Sequence, residues 1–151
     1  MVSSRKITDM ERLVQQYSAN FPCHVPSSAT SAVGGDVVLL TGSTGFLGSH
    51  ILEQLEKDFS VSRIYALNRK DIKRPERTMF ARHKATFERN SLDTTGFVSS
   101  KVVMLQGSSD LEYFGLGKAT FYQIQSSVTC IIHNGANFET LVSLNTNCDF
   151  L

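Results

Sequence analysis

Three evenly spaced glycines between a buried strand and a helix constrain the fold of this chain more than any other feature. Gly42, Gly45 and Gly48 follow the apolar run VVLLT at 37–41 and lead into a helical repeat of Leu47, Ile51 and Leu55. A pyrophosphate bound at a helix N-terminus needs free backbone N–H groups and a close approach that Cβ atoms would block. The spacing therefore predicts a dinucleotide-binding turn made by Thr41, Gly42, Ser43, Thr44, Gly45, Phe46, Leu47 and Gly48.

Other glycine-containing turns remain as alternatives at this point. A flavodoxin-like α/β protein can also carry such a turn between a strand and a helix. A P-loop is excluded, because no Lys followed by Ser or Thr comes after the last glycine.

The rest of the chain alternates apolar runs with helical patterns, which is typical of βαβ units on a parallel sheet. Strands are predicted at 37–41, 63–67, 101–105 and 128–132, and helices after the glycine turn, at 75–89 and at 118–127. Right-handed crossovers give the strand order 3-2-1-4. We therefore predict an α/β fold, a Rossmann-type doubly wound parallel sheet that is truncated after about four strands.

A different composition precedes this region and divides the chain in two. The first twenty residues have the pattern of a short amphipathic helix, and the segment 21–35, FPCHVPSSATSAVGG, has the composition of a flexible linker. We predict a leader helix and linker at 1–35 and the nucleotide-binding domain at 36–151.

Charge and cysteine content exclude several classes of protein. The formal net charge is +1, so no overall excess of charge favours nucleic acid or an anionic membrane as a partner. The three cysteines are odd in number and share no short spacing, which argues against a disulfide framework or a zinc site. No apolar run reaches the ~20 residues that span a bilayer. We expect a cytoplasmic protein without disulfides. Cys130, within the fourth apolar run, is expected in the core.

The residues after the second strand indicate which dinucleotide binds. An acidic residue at this position holds the ribose of NAD, whereas a basic residue accommodates the 2′-phosphate of NADP. This chain has Asn68, Arg69 and Lys70 there, and no acid until Asp71. NADP is therefore predicted as the cofactor, with Arg69 as the main contact because a guanidinium offers paired donors. The alternative is a solvated arginine at a strand end.

The sequence also resembles a known family. The segments TGSTGFLGSHILEQL, RIYALNRK, KVVMLQG and VTCIIHNGANF, in this order, resemble the terminal thioester reductase domains of fungal carboxylic acid reductases and aminoadipate-reductase-like enzymes. These are extended short-chain dehydrogenases/reductases with a male-sterility-type NAD-binding domain. The resemblance implies an NADPH-dependent enzyme that reduces an acyl thioester, held on the phosphopantetheine arm of a carrier domain, to an aldehyde.

The resemblance also assigns roles to individual residues. It implies that the turn at 41–48 holds the pyrophosphate, that Arg69 holds the 2′-phosphate, and that Arg77, or alternatively Arg74, supplies a second arginine. It places Asn134, Gly135 and Ala136 beside the ribose and nicotinamide. His133 is expected to pack and hydrogen-bond near the cofactor rather than transfer a proton.

Two departures from the family pattern limit what the chain can do. Ser108 and Ser109 follow Gly107, where the family usually has an Asp near the adenine. None of the four tyrosines is followed by a lysine four positions on, which is the pair that donates a proton in this group. We therefore expect the 151 residues to supply the cofactor-binding half and to be inactive alone. A catalytically inactive dinucleotide-binding fragment and a dehydrogenase of a nucleotide sugar or small alcohol remain as alternatives.

Overall fold

The chain divides into two compact units, Met1–Thr30 and Ser31–Leu151. The computed structural model describes residues 34–94, 100–109 and 111–135 of the second unit, and residues 8, 11–12, 14–15 and 18 of the first. These few residues of the first unit are helical and exposed. The division between the units lies within the segment that the sequence predicts as a linker.

The second unit is built on a parallel sheet of four strands. These are β1 (Asp36–Thr41), β2 (Val61–Asn68), β3 (Val102–Gln106) and β4 (Cys130–His133). They lie in the order β3-β2-β1-β4, with Leu39 of β1 level with Tyr65 of β2 and Ile131 of β4. The predicted strand order and fold class are confirmed, and each strand lies within about two residues of its predicted position.

Helices cover both faces of the sheet, because apolar side chains alternate between the faces along each strand. On one face, Val38, Leu40 and Ile64 pack with Leu52 of helix α1 (Phe46–Lys57) and Phe87 of helix α2 (Met79–Arg89). On the other face, a second buried cluster includes helix α3 (Lys118–Ser127); its buried members are Leu39, Tyr65, Leu67 and Ile124. A sheet with helices on both faces is the doubly wound arrangement that the sequence predicts.

Helix α2 begins four residues later than the sequence pattern predicts. The chain after β2 first forms a turn in which the carboxylate of Asp71 accepts hydrogen bonds from the N–H groups of Lys73 and Arg74. The hydroxyl of Thr78 then accepts from the N–H of Ala81 at 3.2 Å and caps the helix. This later start decides which side chains of α2 face the glycine turn.

Strand β4 is the outermost strand of the described sheet on its side. Cys130 and Ile131 are therefore exposed, and the expectation that Cys130 belongs to the core is wrong. Among the residues that the structure describes, no helix is long and apolar enough to cross a membrane.

Candidate functional site

An open cleft of about 610 Å³ lies at the carboxyl ends of the strands. Ligands of open α/β sheets bind at this edge, where the strand order reverses. Here the reversal falls between β1 and β4. The residues that line the cleft are Thr41, Gly42, Thr44, Gly45, Leu67, Asn68, Arg69, Arg82, Gly107, Ser108, Ser109, His133, Asn134 and Gly135.

Two of the glycines in the turn are required by its shape. Gly42 has a φ of +71°, which places it in the left-handed region, where a side chain is strained. A Cβ on Gly48 would lie 2.1 Å from the carbonyl oxygen of Gly42 and 2.7 Å from the side-chain nitrogen of Asn134. Only a glycine at position 48 therefore allows helix α1 to pack this closely against the strand ends.

The N-terminus of α1 opens onto the cleft without a side-chain cap. Gly45 occupies the capping position, and no side chain accepts a hydrogen bond there. Gly45, Phe46 and Leu47 are exposed. The first N–H groups of a helix have no partner within the helix, and they lie at the positive end of its dipole. The end of α1 therefore presents free donors, as a bound pyrophosphate requires.

Ser43 differs from the rest of the turn because it is fully buried. Its hydroxyl lies 2.8 Å from Nε2 of His83, and it accepts a hydrogen bond from the side-chain amide of Asn68 at 2.7 Å. Burial lowers the pKa of His83, so its imidazole is neutral near pH 7. Ser43 thus connects the turn to α2 and β2 instead of facing the cleft.

Thr41 fixes the turn that follows β4. Its hydroxyl oxygen accepts from the N–H groups of Asn134 and Gly135 at 3.1 and 3.0 Å. The same hydroxyl can therefore donate to Nδ1 of His133, which lies 2.9 Å away. The side-chain amide of Asn134 donates to the carbonyl of Gly42 at 3.3 Å. These bonds hold the two cleft-lining turns together.

Two arginines line the cleft, and one of them was not predicted. Arg69 is exposed at the end of β2. Arg82, one turn into α2, donates to the backbone carbonyl of Arg69 and to the hydroxyl of Thr44. Lys70, which the sequence placed at the site, and Arg77 and its alternative Arg74, which the family resemblance implied, are not among the lining residues. Arg82 thus lines the cleft together with Arg69, and Arg77 does not.

The remaining predicted residues divide into three groups. Thr41, Gly42, Thr44, Gly45, Asn68, Arg69, Asn134 and Gly135 line the cleft. Four residues of the turn do not line the cleft: Ser43, Phe46, Leu47 and Gly48. Ala136 lies outside the described residues.

The two serines after β3 stand where the family resemblance leads one to expect an Asp near the adenine, and no contact was predicted for them. Ser108 and Ser109 line the cleft together with Gly107. The N–H of Ser108 donates to the carbonyl of Phe114 at 2.9 Å, which anchors this edge of the cleft to the next turn. Both serines follow a predicted strand at the same edge of the sheet as the glycine turn, and this position could have indicated that they line the cofactor site. Asp110 lies outside the described residues.

Comparison with known proteins gives consistent matches. The model of an NAD-binding domain family, described as male sterility protein, matches residues 40–149. The adenylate-forming reductase Nps10 of Heterobasidion annosum is 40% identical over 126 residues, which make up 83% of this chain and 11% of that protein. This chain spans only 11 to 13% of the length of the first three curated relatives it matches.

Solved structures share the fold. The reductase domain of PhqB from Penicillium fellutanum is 25% identical, with a TM-score of 0.60 over 87% of this chain and 33% of that one. A thiolation-reductase di-domain from an archaeal non-ribosomal peptide synthetase is also 25% identical, with a TM-score of 0.51 over 68% of this chain and 20% of that one.

Proposed function

This chain belongs to the NAD-binding family described as male sterility protein, and we propose that it is the NADP-binding half of a thioester reductase. The proposed reaction of the whole protein is the NADPH-dependent reduction of a carrier-bound acyl thioester to an aldehyde. The family match supports a nicotinamide dinucleotide as the cofactor. The residues of the cleft support the choice of NADP, and the names of the relatives support the reaction.

The observation that carries the choice of NADP is a pair of arginines, Arg69 directly after β2 and Arg82 of α2, which bonds the carbonyl of Arg69. Arg69 and Arg82 line the same cleft, and none of the described residues that line it is acidic. A carboxylate at this position would accept hydrogen bonds from the ribose of NAD but would repel a 2′-phosphate. Two guanidinium groups favour the phosphate instead, because they offer paired charged donors.

The proposed orientation of the cofactor follows from the same edge of the sheet. The pyrophosphate lies against Gly45 and the N-terminus of α1, with the adenosine directed to Arg69 and to the serines after β3. The nicotinamide half then lies toward Asn134 and Gly135, after β4. This orientation uses all the strand ends that the cleft brings together.

The names of the relatives support the reaction and the partner. They include an adenylate-forming reductase and a thiolation-reductase di-domain, in which a carrier domain and a reductase share one chain. When bound, NADPH would supply a hydride to the thioester carbon, the C–S bond would break, and the products would be the aldehyde, the protonated thiol of the carrier arm and NADP⁺. This chain's part is to bind and orient the cofactor, because it contains no Tyr-x-x-x-Lys pair to donate a proton.

The test is reduction of a carrier-bound acyl thioester by the full-length protein that contains this chain. We expect NADPH to be consumed and an aldehyde to form, with NADH supporting the reaction at least tenfold less well. Arg69→Ala should remove most of this preference, whereas Lys84→Ala, on the exposed side of α2, should leave it intact. Equal use of NADH would contradict the choice of NADP, and no aldehyde from any acyl thioester would contradict the reaction.

A further inference from the structure

A continuous line of hydrogen bonds starts and ends on helix α2 and passes through the glycine turn. It joins the carbonyl of Met79, His83, Ser43, Asn68, Thr44 and Arg82. Arg82 lines the cleft, whereas His83 and Ser43 are fully buried. The line therefore connects buried groups to the wall of the proposed cofactor site.

The direction of every bond is set by the carbonyl of Met79. A carbonyl can only accept, so Nδ1 of His83, 2.8 Å away, carries the proton. In the neutral ring Nε2 is then bare and must accept from the hydroxyl of Ser43. Ser43, having used its only proton, accepts from the side-chain nitrogen of Asn68.

From Asn68 the line of hydrogen bonds continues to the cleft. With its nitrogen toward Ser43, Asn68 turns its oxygen toward Thr44. That oxygen accepts from the N–H and the hydroxyl of Thr44 at 3.1 and 3.2 Å. The hydroxyl of Thr44 is then left to accept from Arg82 at 3.3 Å. Each donor and acceptor role in the turn thus depends on the protonation of one buried histidine.

We propose that His83 is a positioning residue for the dinucleotide site, and that its bare Nε2 sets the orientation of Ser43, Asn68 and Thr44 and hence the shape of the phosphate turn. The inference rests on the proposed cofactor function and adds a residue outside the cleft to it. Without an acceptor at this place, Ser43 can donate to other groups and Asn68 can reverse its amide. Thr44 would then lose the acceptor of its N–H.

The experiment compares four single substitutions in their affinity for NADPH and in their thermal midpoint. His83→Leu removes the acceptor, and Ser43→Ala interrupts the line one step further on. His83→Gln keeps an oxygen for Ser43 and an N–H for Met79. Ser49→Ala is the matched control, because Ser49 is an equally buried serine that accepts from the side-chain amide of Asn90, directly after α2, at 2.8 Å but lies outside the line.

We expect His83→Leu and Ser43→Ala each to weaken NADPH binding about 5- to 20-fold, as a broken buried hydrogen bond does. The double variant should bind no more weakly than the worse single variant, because both act on one line. His83→Gln should bind within about threefold of the wild-type chain. Ser49→Ala should lower the midpoint of unfolding and leave the affinity unchanged.

The outcomes separate this inference from the proposed function. A wild-type chain that binds no dinucleotide would overturn the proposed function and this inference together. A wild-type chain that binds NADPH, with Ser43→Ala losing no more affinity than Ser49→Ala, would overturn this inference alone. So would a His83→Gln variant that folds but binds ten- or more-fold more weakly than wild type. If His83→Leu does not fold, the comparison of Ser43→Ala with Ser49→Ala and the affinity of His83→Gln still test whether His83 positions the turn.

Discussion

Gly48 lies directly against the carbonyl oxygen of Gly42, so closely that a Cβ on Gly48 would be 2.1 Å from that oxygen. No such crowding exists at Gly45, where the nearest atom to an added Cβ is the same oxygen at 3.4 Å. The two glycines therefore serve different purposes. Gly48 allows the helix to pack, and Gly45 leaves room for a ligand.

Alanine at Gly48 should mainly affect stability, and alanine at Gly45 should mainly affect dinucleotide binding. Gly48→Ala forces the turn and α1 apart, and we expect it to cost about 3 kcal/mol or more in the free energy of unfolding. Gly45→Ala should cost less than about 1 kcal/mol, because only the capping preference changes. It should nevertheless weaken dinucleotide binding at least tenfold. Thermal melts and NADPH titrations measure both effects, and a stable Gly48→Ala variant would contradict the first.

Arg82 and Arg77 are the two candidates for the second arginine of the proposed NADP site, besides Arg69. Arg82→Ala removes a cleft-lining cation and also frees Thr44 and the carbonyl of Arg69, so we expect both NADPH and NADH to bind more weakly. Arg69→Ala should instead affect NADPH far more than NADH. Arg77→Ala should change neither affinity by more than about twofold, because Arg77 is half-buried outside the cleft lining and a partly solvated charge contributes little. Loss of NADPH affinity in Arg77→Ala, with Arg82→Ala unaffected, would restore the assignment made from the sequence.

Tyr65 offers a test of the core that does not involve the site. Its side chain is buried under α3, and its hydroxyl has no hydrogen-bond partner among the described residues. An unpartnered buried hydroxyl costs free energy, so Tyr65→Phe should raise the free energy of unfolding by about 0.5–1 kcal/mol. Tyr122→Phe is the control, since Tyr122 is exposed. A loss of stability greater than about 1 kcal/mol in urea unfolding would reveal a partner for Tyr65.

The buried histidine predicts how stability depends on pH. Burial lowers the pKa of His83 in the folded chain, whereas in the unfolded chain it titrates near 6.5. The unfolded state therefore binds more protons below about pH 6.5, and the folded state loses stability as the pH falls from there toward the folded pKa. The loss is at most about 1.4 kcal/mol per pH unit. Burial raises the pKa of Glu56, which acts in the opposite direction in acid.

Comparison with His83→Gln isolates this contribution, because Glu56 is the same in both proteins. Urea unfolding at pH 7.5 and pH 5.5 should show a larger loss for the wild-type chain than for the variant. Equal losses would mean that His83 does not remain neutral in the folded state.

The features that the sequence predicted are those that local pattern determines. The strand order follows from apolar runs and crossover handedness, and the turn follows from glycine spacing, which is fixed over only seven residues. Leu39 and Leu40 point to opposite faces of the sheet and are both buried, as a continuous apolar run requires. These elements needed no knowledge of distant contacts.

Arg82 was missed because its position depends on tertiary structure. The helical pattern of the sequence extends back to Pro75, but a turn around Asp71 precedes the helix, which begins at Met79. Three polar residues share one face of α2, and this pattern could have indicated a face that packs on the glycine turn: Arg82, His83 and Thr86. Thr86 donates to the carbonyl of Thr44, so that face packs on the glycine turn. The exposure of Cys130 was missed because its apolar run indicated burial, although the predicted order 3-2-1-4 already placed this strand at the edge of the sheet.

Selection of NADP by Arg69 is tested by the pair of dissociation constants for NADPH and NADH, measured on the wild-type chain and on Arg69→Ala. We predict that NADPH binds the wild-type chain at least tenfold more tightly than NADH, which is at least about 1.4 kcal/mol. Arg69→Ala should bring the two constants within about threefold of each other by weakening NADPH alone. Equal affinity for both dinucleotides in the wild-type chain, or no binding of either, would contradict the account.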